Sequence, residues 1–147
     1  PFWHLKKFKS KLVNMFIKSE NKTSDLTKVA ALLIHAATID ENYTSHEEEI
    51  IKKTLLKIGA KDENVEKILK NGKEIERDSN QILDFTREVK NMNNEKKIQI
   101  IEALWQIIYS NKEADIYETN LMRRLAGLLY IDSKIMGDIK DKIKKQI

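Results

Sequence analysis

With 147 residues, of which 41% are hydrophobic and 34% charged, the chain fits one domain with one core and is too apolar to stay unfolded. It has no cysteine, which excludes disulfides, iron–sulfur clusters, thiolate zinc and a cysteine nucleophile and is compatible with a reducing cytoplasm. A net charge of +4 is too mild to mark a nucleic-acid binder, and one Pro and four Gly among long apolar runs point to an all-helical fold.

The first predicted element is a basic amphipathic helix over residues 3–18. Leu5, Phe8, Leu12 and Phe16 share one face, with Phe2 and Trp3 at the tip, while Lys6, Lys7, Lys9 and Lys11 crowd the other side. Such a helix can cover the core, pack on the second subunit of a homodimer, or lie on an anionic membrane surface. The expected organisation is therefore this helix within residues 1–20 and a helical domain over 21–147. The longest apolar-rich run, VAALLIHAATI, is too short to span a bilayer, and no signal-peptide pattern occurs in the sequence. A start at Pro1 is what removal of an initiator Met would leave.

A polar linker, SENKTS, leads to a second helix over about 25–39, capped by Thr23 or Ser24 and apolar nearly all round, the mark of a central buried helix. The third, about 45–58, sets Ile50, Ile51, Thr54, Leu55 and Ile58 on one side and ends at Gly59-Ala60. Asp62 starts a fourth, with Val65, Ile68 and Leu69 inward and a break expected near Asn71-Gly72. The fifth covers about 80–91, and the sixth about 95–109, with Asn94 as its cap and a core, IQIIEALWQII, apolar on most sides. The seventh, about 116–130, buries Leu121, Met122, Leu125, Leu128 and Leu129. The eighth follows Asp132 and carries Ile135, Ile139 and Ile143.

Residues 29–58 fall on 100–129 without a gap, and apolar register and capping positions agree: Leu33-Ile34 meets Leu104-Trp105, Glu47 meets Glu118, and Ile58 meets Leu129. The expected architecture is an all-α, single-domain bundle of about seven to eight helices with an internal pseudo-two-fold repeat of helix pairs.

Each repeat has an acidic turn between its helices. Thr44-Ser45-His46-Glu47 spells the capping box, S/T-x-x-E, and Asp115 and Glu118 stand in the same places of the second unit. The other use of these acids is a divalent-cation site. Asp40 ends one helix and Glu47 begins the next, so a short loop can bring two carboxylates together, and hard cations want several oxygens. An EF-hand does not fit, because Ser45 stands where its Gly is needed and Ile51 where its bidentate Glu is needed. A site drawing on both units would use Asp40, Glu47, Glu113 and Glu118 for calcium, magnesium, manganese or zinc. Asn111, in the place of Asp40, offers only a neutral oxygen. His35, on an apolar helix, reads as a core histidine, and His46 as solvent-facing. No HExxH, phosphate-binding glycine loop, GxSxG or nucleophile–base spacing is present, so nothing positive supports an enzyme.

The segment AALLIHAATIDENYTSHEEEII resembles the first motif of TerB-like proteins, the tellurite-resistance family, in which an apolar helix runs into A-x-x-D-G-E and a Glu opens the next helix. ALWQIIYSNKEADIYETNLMRRLAGLL is similar to the second motif at Trp105, Tyr117-Glu118, Arg123-Arg124, Ala126 and Leu128-Leu129. The resemblance covers about residues 25–140 and puts the family's acidic positions on Asp40, Glu47, Glu113 and Glu118. The family's motif glycines are Glu41 and Lys112 here, and its second Asp is Asn111. The resemblance implies an all-helical bacterial protein of the cytoplasm, acting at the inner face of the membrane through protein partners in stress or tellurite-resistance systems, without established chemistry. The expectation that follows is a non-enzymatic interaction module with a weak cation site between the repeats. The alternative is a peripheral membrane protein anchored by its basic first helix. No nucleic acid is expected as a partner.

Overall fold

The computed structural model describes residues 26–39, 43–78, 82–111 and 116–146, and the side chains of 111 and 116–118 are outside that description. The predicted helix at 3–18, the division at residue 20 and the caps Thr23 and Ser24 all lie outside the described residues. Every regular element described is helical. In order they are α1 (26–38), α2 (Ser45–Lys57), α3 (Asp62–Asp78), α4 (Leu83–Lys90), α5 (Asn94–Ile108) with a 3-10 turn at Tyr109–Asn111, α6 (Ile116–Leu128) and α7 (Ser133–Lys145). The all-α class read from the sequence is correct.

α1 and α5 form the centre. Val29, Ala30, Ala31, Leu32 and Leu33 of α1 and Ile100, Ile101 and Leu104 of α5 are fully buried, which is why both helices read as apolar on most sides. α5 packs on α2 and α7, α2 on α3, α4 on α6, and α6 on α7.

Three local expectations need correction. α3 does not break at Asn71-Gly72 but runs through it. Glycine there serves packing: a Cβ on Gly72 would lie 2.9 Å from Ala30 Cβ, 3.2 Å from Ala31 N and 3.3 Å from the Thr27 carbonyl oxygen. A helix interior tolerates one glycine at a cost of about 1 kcal/mol, and here it lets α3 approach the backbone of α1. The cap of α5 is Asn93 rather than Asn94, its side chain accepting the Lys96 N–H at 2.9 Å from an extended backbone. On α7, Ile135 faces solvent at 44% exposure and Met136 takes its place beside Ile139 and Ile143 in the core. The Asp132 side chain accepts the Lys134 N–H at 3.0 Å, which fixes the helix start and so the phase of the inward face.

The internal repeat reaches further than the apolar register. A shift of 71 residues carries both ends of α2 onto both ends of α6. It also carries one helix terminus onto the other. The Gly59 N–H donates to the Leu56 carbonyl and the Ala60 N–H to that of Leu55, while the Tyr130 N–H donates to Gly127 and the Ile131 N–H to Ala126. Both are Schellman closures, and both need a left-handed residue, at Gly59 (φ 116°) and Tyr130 (φ 54°).

Candidate functional site

The described part of the acidic turn is built around Glu47. Thr44 is extended, with φ −102° and ψ 163°, and precedes the first turn of α2. Its hydroxyl oxygen accepts the Glu47 N–H at 3.3 Å. The Glu47 carboxylate in return accepts the Thr44 N–H at 3.4 Å and the Thr44 hydroxyl at 3.0 Å. This is the reciprocal capping box expected from the sequence, worth about 1 kcal/mol. Glu47 is only 1% exposed, so its carboxylate is held inside the fold rather than offered to solvent.

Around it stands a cluster that sequence reasoning missed. The Lys73 ammonium of α3 lies 3.4 Å from the Glu48 carboxylate and 5.3 Å from the centre of the Tyr43 ring. The Tyr43 hydroxyl is buried and has no hydrogen-bond partner among the described residues. Burial pushes it well above the ordinary phenol range, and the charges of Glu48 and then Glu47 push it further. The only signal in the sequence was the tyrosine within the acidic stretch; that Lys73 closes over it depends on how α3 crosses α2.

Of the four residues expected to hold a cation, the described residues contain the side chain of Glu47 alone. Asp40 and Glu113 lie outside them, as does the side chain of Glu118. The companion cap, Asp115, is also outside. Among the described residues no group of three or more His, Asp or Glu could hold a metal ion. Glu47 would bring to such a site a carboxylate whose Oε1 already serves Thr44.

The histidines divide. His46 is exposed, as expected. His35 is half-buried rather than wholly inside the core, and its Nδ1 lies 3.4 Å from the Glu76 carboxylate of α3. Its helix is apolar nearly all round, but the side facing the end of α3 meets an acid.

Two grooves open on the surface of the described residues. One, of about 430 Å³, lies between α2, the end of α5 and the end of α7, and is bordered by His46, Lys53, Lys57, Tyr109 and Ser110. The other, of about 450 Å³, lies between α6 and α7 with Trp105 of α5 in its wall. No helix among the described residues is long and apolar enough to cross a membrane.

The arrangement defines a class: a helical domain of two like helix pairs, each a buried helix followed by an amphipathic one. A family model described as tellurite resistance protein TerB matches residues 26–141, most of the chain and all of both pairs. The chain belongs to the TerB family. No curated protein and no solved structure matches it.

Proposed function

We propose that the protein is a non-enzymatic interaction module of the TerB type, serving tellurite-resistance or stress systems of the bacterial cytoplasm through a protein partner. A divalent cation binds weakly between its two repeats. The observation that supports this reading is the use made of Glu47 within a TerB-family domain: its carboxylate closes the cap of α2 at 1% exposure. A carboxylate so held stiffens the turn that presents Glu48 and the exposed Glu49, and it contributes one oxygen at most to a cation that wants six or more. Calorimetric titration with calcium, magnesium, manganese and zinc tests the cation. Weak binding that is lost in Asp40→Asn and Glu113→Gln is expected, and tight binding that vanishes in Glu47→Gln would refute the priority of the cap. The module itself is tested by recovering the tagged chain from its host. A protein held at fixed stoichiometry is expected; turnover of a substrate by the purified chain would refute the non-enzymatic reading.

The second reading is a peripheral membrane protein. It rests on the basic and aromatic pattern of residues 1–20 and on Lys142, Lys144 and Lys145 in the last turn of α7. Sedimentation with anionic vesicles that fails on raising salt or removing residues 1–18 would carry it, and indifference to both would end it.

A further inference from the structure

Gly127 of α6 and Gly137 of α7 lack the reasons that usually hold glycine in a helix. Neither has a positive φ, and a Cβ added at either meets no atom of the described residues within 4 Å. Each is less favourable in its helix than alanine, and among the described residues no packing of the kind seen at Gly72 offsets it. Both border the same groove of about 450 Å³, a volume in the range of small-molecule sites.

The rest of the groove has a consistent chemistry. Its wall includes Met122, Met136 and Trp105, and each is buried against the core. Methionine is polarizable and adapts to a flexible apolar guest, and the indole offers a broad apolar face. Trp105 is 3% exposed, and its indole N–H is buried with no hydrogen-bond partner among the described residues, which native folds seldom leave without a reason. Arg123 and Lys140 stand at the border, the Lys140 ammonium 5.5 Å from the centre of the Trp105 ring. Among the described residues no carboxylate lines the groove.

We propose that this groove binds an anionic amphiphile, an alkyl or acyl chain ending in a carboxylate. The chain lies in the space that the two glycines leave open, along Met122, Met136 and Trp105. The carboxylate meets Arg123 and Lys140. A narrow ligand fits better than a partner helix, because the apolar wall is recessed, with Met122, Met136 and Trp105 only 1%, 6% and 3% exposed. The inference is independent of the interaction module and of the cation.

The test uses the full chain carrying Trp3→Phe, so that Trp105 is its sole tryptophan. Decanoate below its critical micelle concentration is titrated against Trp105 emission and by calorimetry, beside decanol and decyltrimethylammonium. Saturable binding of decanoate is expected, weaker binding of the alcohol and none of the cation. Gly137→Leu fills the groove and should weaken decanoate by at least about tenfold with the melting temperature held or raised. The surface pair Arg123→Gln/Lys140→Gln should weaken decanoate about tenfold and leave decanol unchanged, and this pair decides the matter if Gly137→Leu fails to fold. Absence of saturable decanoate binding, equal binding of the cationic analogue, or a folded Gly137→Leu that binds as the parent does would each overturn the proposal.

Discussion

Alanine at Gly72 and alanine at Gly137 are the same substitution in two helix interiors, and the structure gives them opposite signs. At Gly137 the added methyl meets nothing within 4 Å among the described residues, so only helix propensity acts. The gain is about 1 kcal/mol, or about 2–4 °C in melting temperature for a domain of this size. At Gly72 the same gain is available, but the methyl falls 2.9 Å from Ala30 Cβ and 3.2 Å from a backbone nitrogen. α1 is fully buried around that point and cannot bend away without opening the core. Overpacking of this kind costs about 1–3 kcal/mol, so the net effect is a loss of about 1 kcal/mol and the two variants differ by about 2. Urea unfolding followed by far-UV circular dichroism reads this directly, with an unchanged m-value as the control for two-state behaviour. If Gly72→Ala proves as stable as Gly137→Ala, α3 does not approach α1 as closely as described, and the packing reason for this glycine fails.

Other substitutions probe the turn and the helix ends. Glu47→Gln keeps an acceptor for the Thr44 N–H and should lower unfolding free energy by less than about 1 kcal/mol, whereas Glu47→Leu leaves buried donors unpaired and should cost about 1–3; equal losses in urea would show that charge, not capping, matters there. Tyr43→Phe removes a hydroxyl that has no partner among the described residues and should be neutral or stabilising at neutral pH. Because the folded phenol titrates above its unfolded value, its contribution to stability is complete below about pH 10 and is lost as pH rises beyond it. The parent should therefore lose stability faster than Tyr43→Phe between about pH 9 and 11, and parallel curves would contradict the burial of that hydroxyl. Lys97 is buried with its ammonium donating to the Leu129 carbonyl at 3.3 Å, at the C-terminal end of α6. Lys97→Met should cost about 1–2 kcal/mol in thermal unfolding, and a gain would mean that the amine is there for something other than the helix end.

The parts of the fold legible in the sequence are those where one local rule acts alone. The capping box at Thr44 and Glu47 uses residues three apart, so its spelling is its structure. The buried characters of α1 and α5 follow from apolar residues on most sides, whatever packs against them. Misreadings arose where two rules compete. Gly72 reads as a breaker because the sequence does not show Ala30 and Ala31 lying against it. Ile135 reads as core because a one-residue difference in helix phase, set by the Asp132 cap, moves the inward position to Met136. The candidate site was legible to the same extent. Glu47 was visible as a cap, but Lys73 reaches Tyr43 and Glu48 only through the crossing of α3 on α2, which no spacing along the chain encodes.

The repeat shows how far tertiary structure can carry a local feature past its own sequence signal. At the end of α2 the left-handed position is Gly59, and a helix stop could be read from it. The matching position at the end of α6 is a tyrosine, for which the left-handed backbone costs about 1–2 kcal/mol. The pair of Schellman hydrogen bonds forms there all the same, so the backbone path of the second unit is set by what the helix pair must do rather than by the residue at its turn. Two things offset the strain. Ile131 follows as a half-buried apolar residue against the core, the contact that commonly accompanies this cap. The Lys90 ammonium of α4 lies 4.5 Å from the centre of the Tyr130 ring, which leaves the ring 74% exposed and contributes about 0.5–1 kcal/mol. Since that contribution is smaller than the strain, α4 does not dictate the turn; it reduces the cost of a conformation that the packing of α6 on α4 and α7 already imposes.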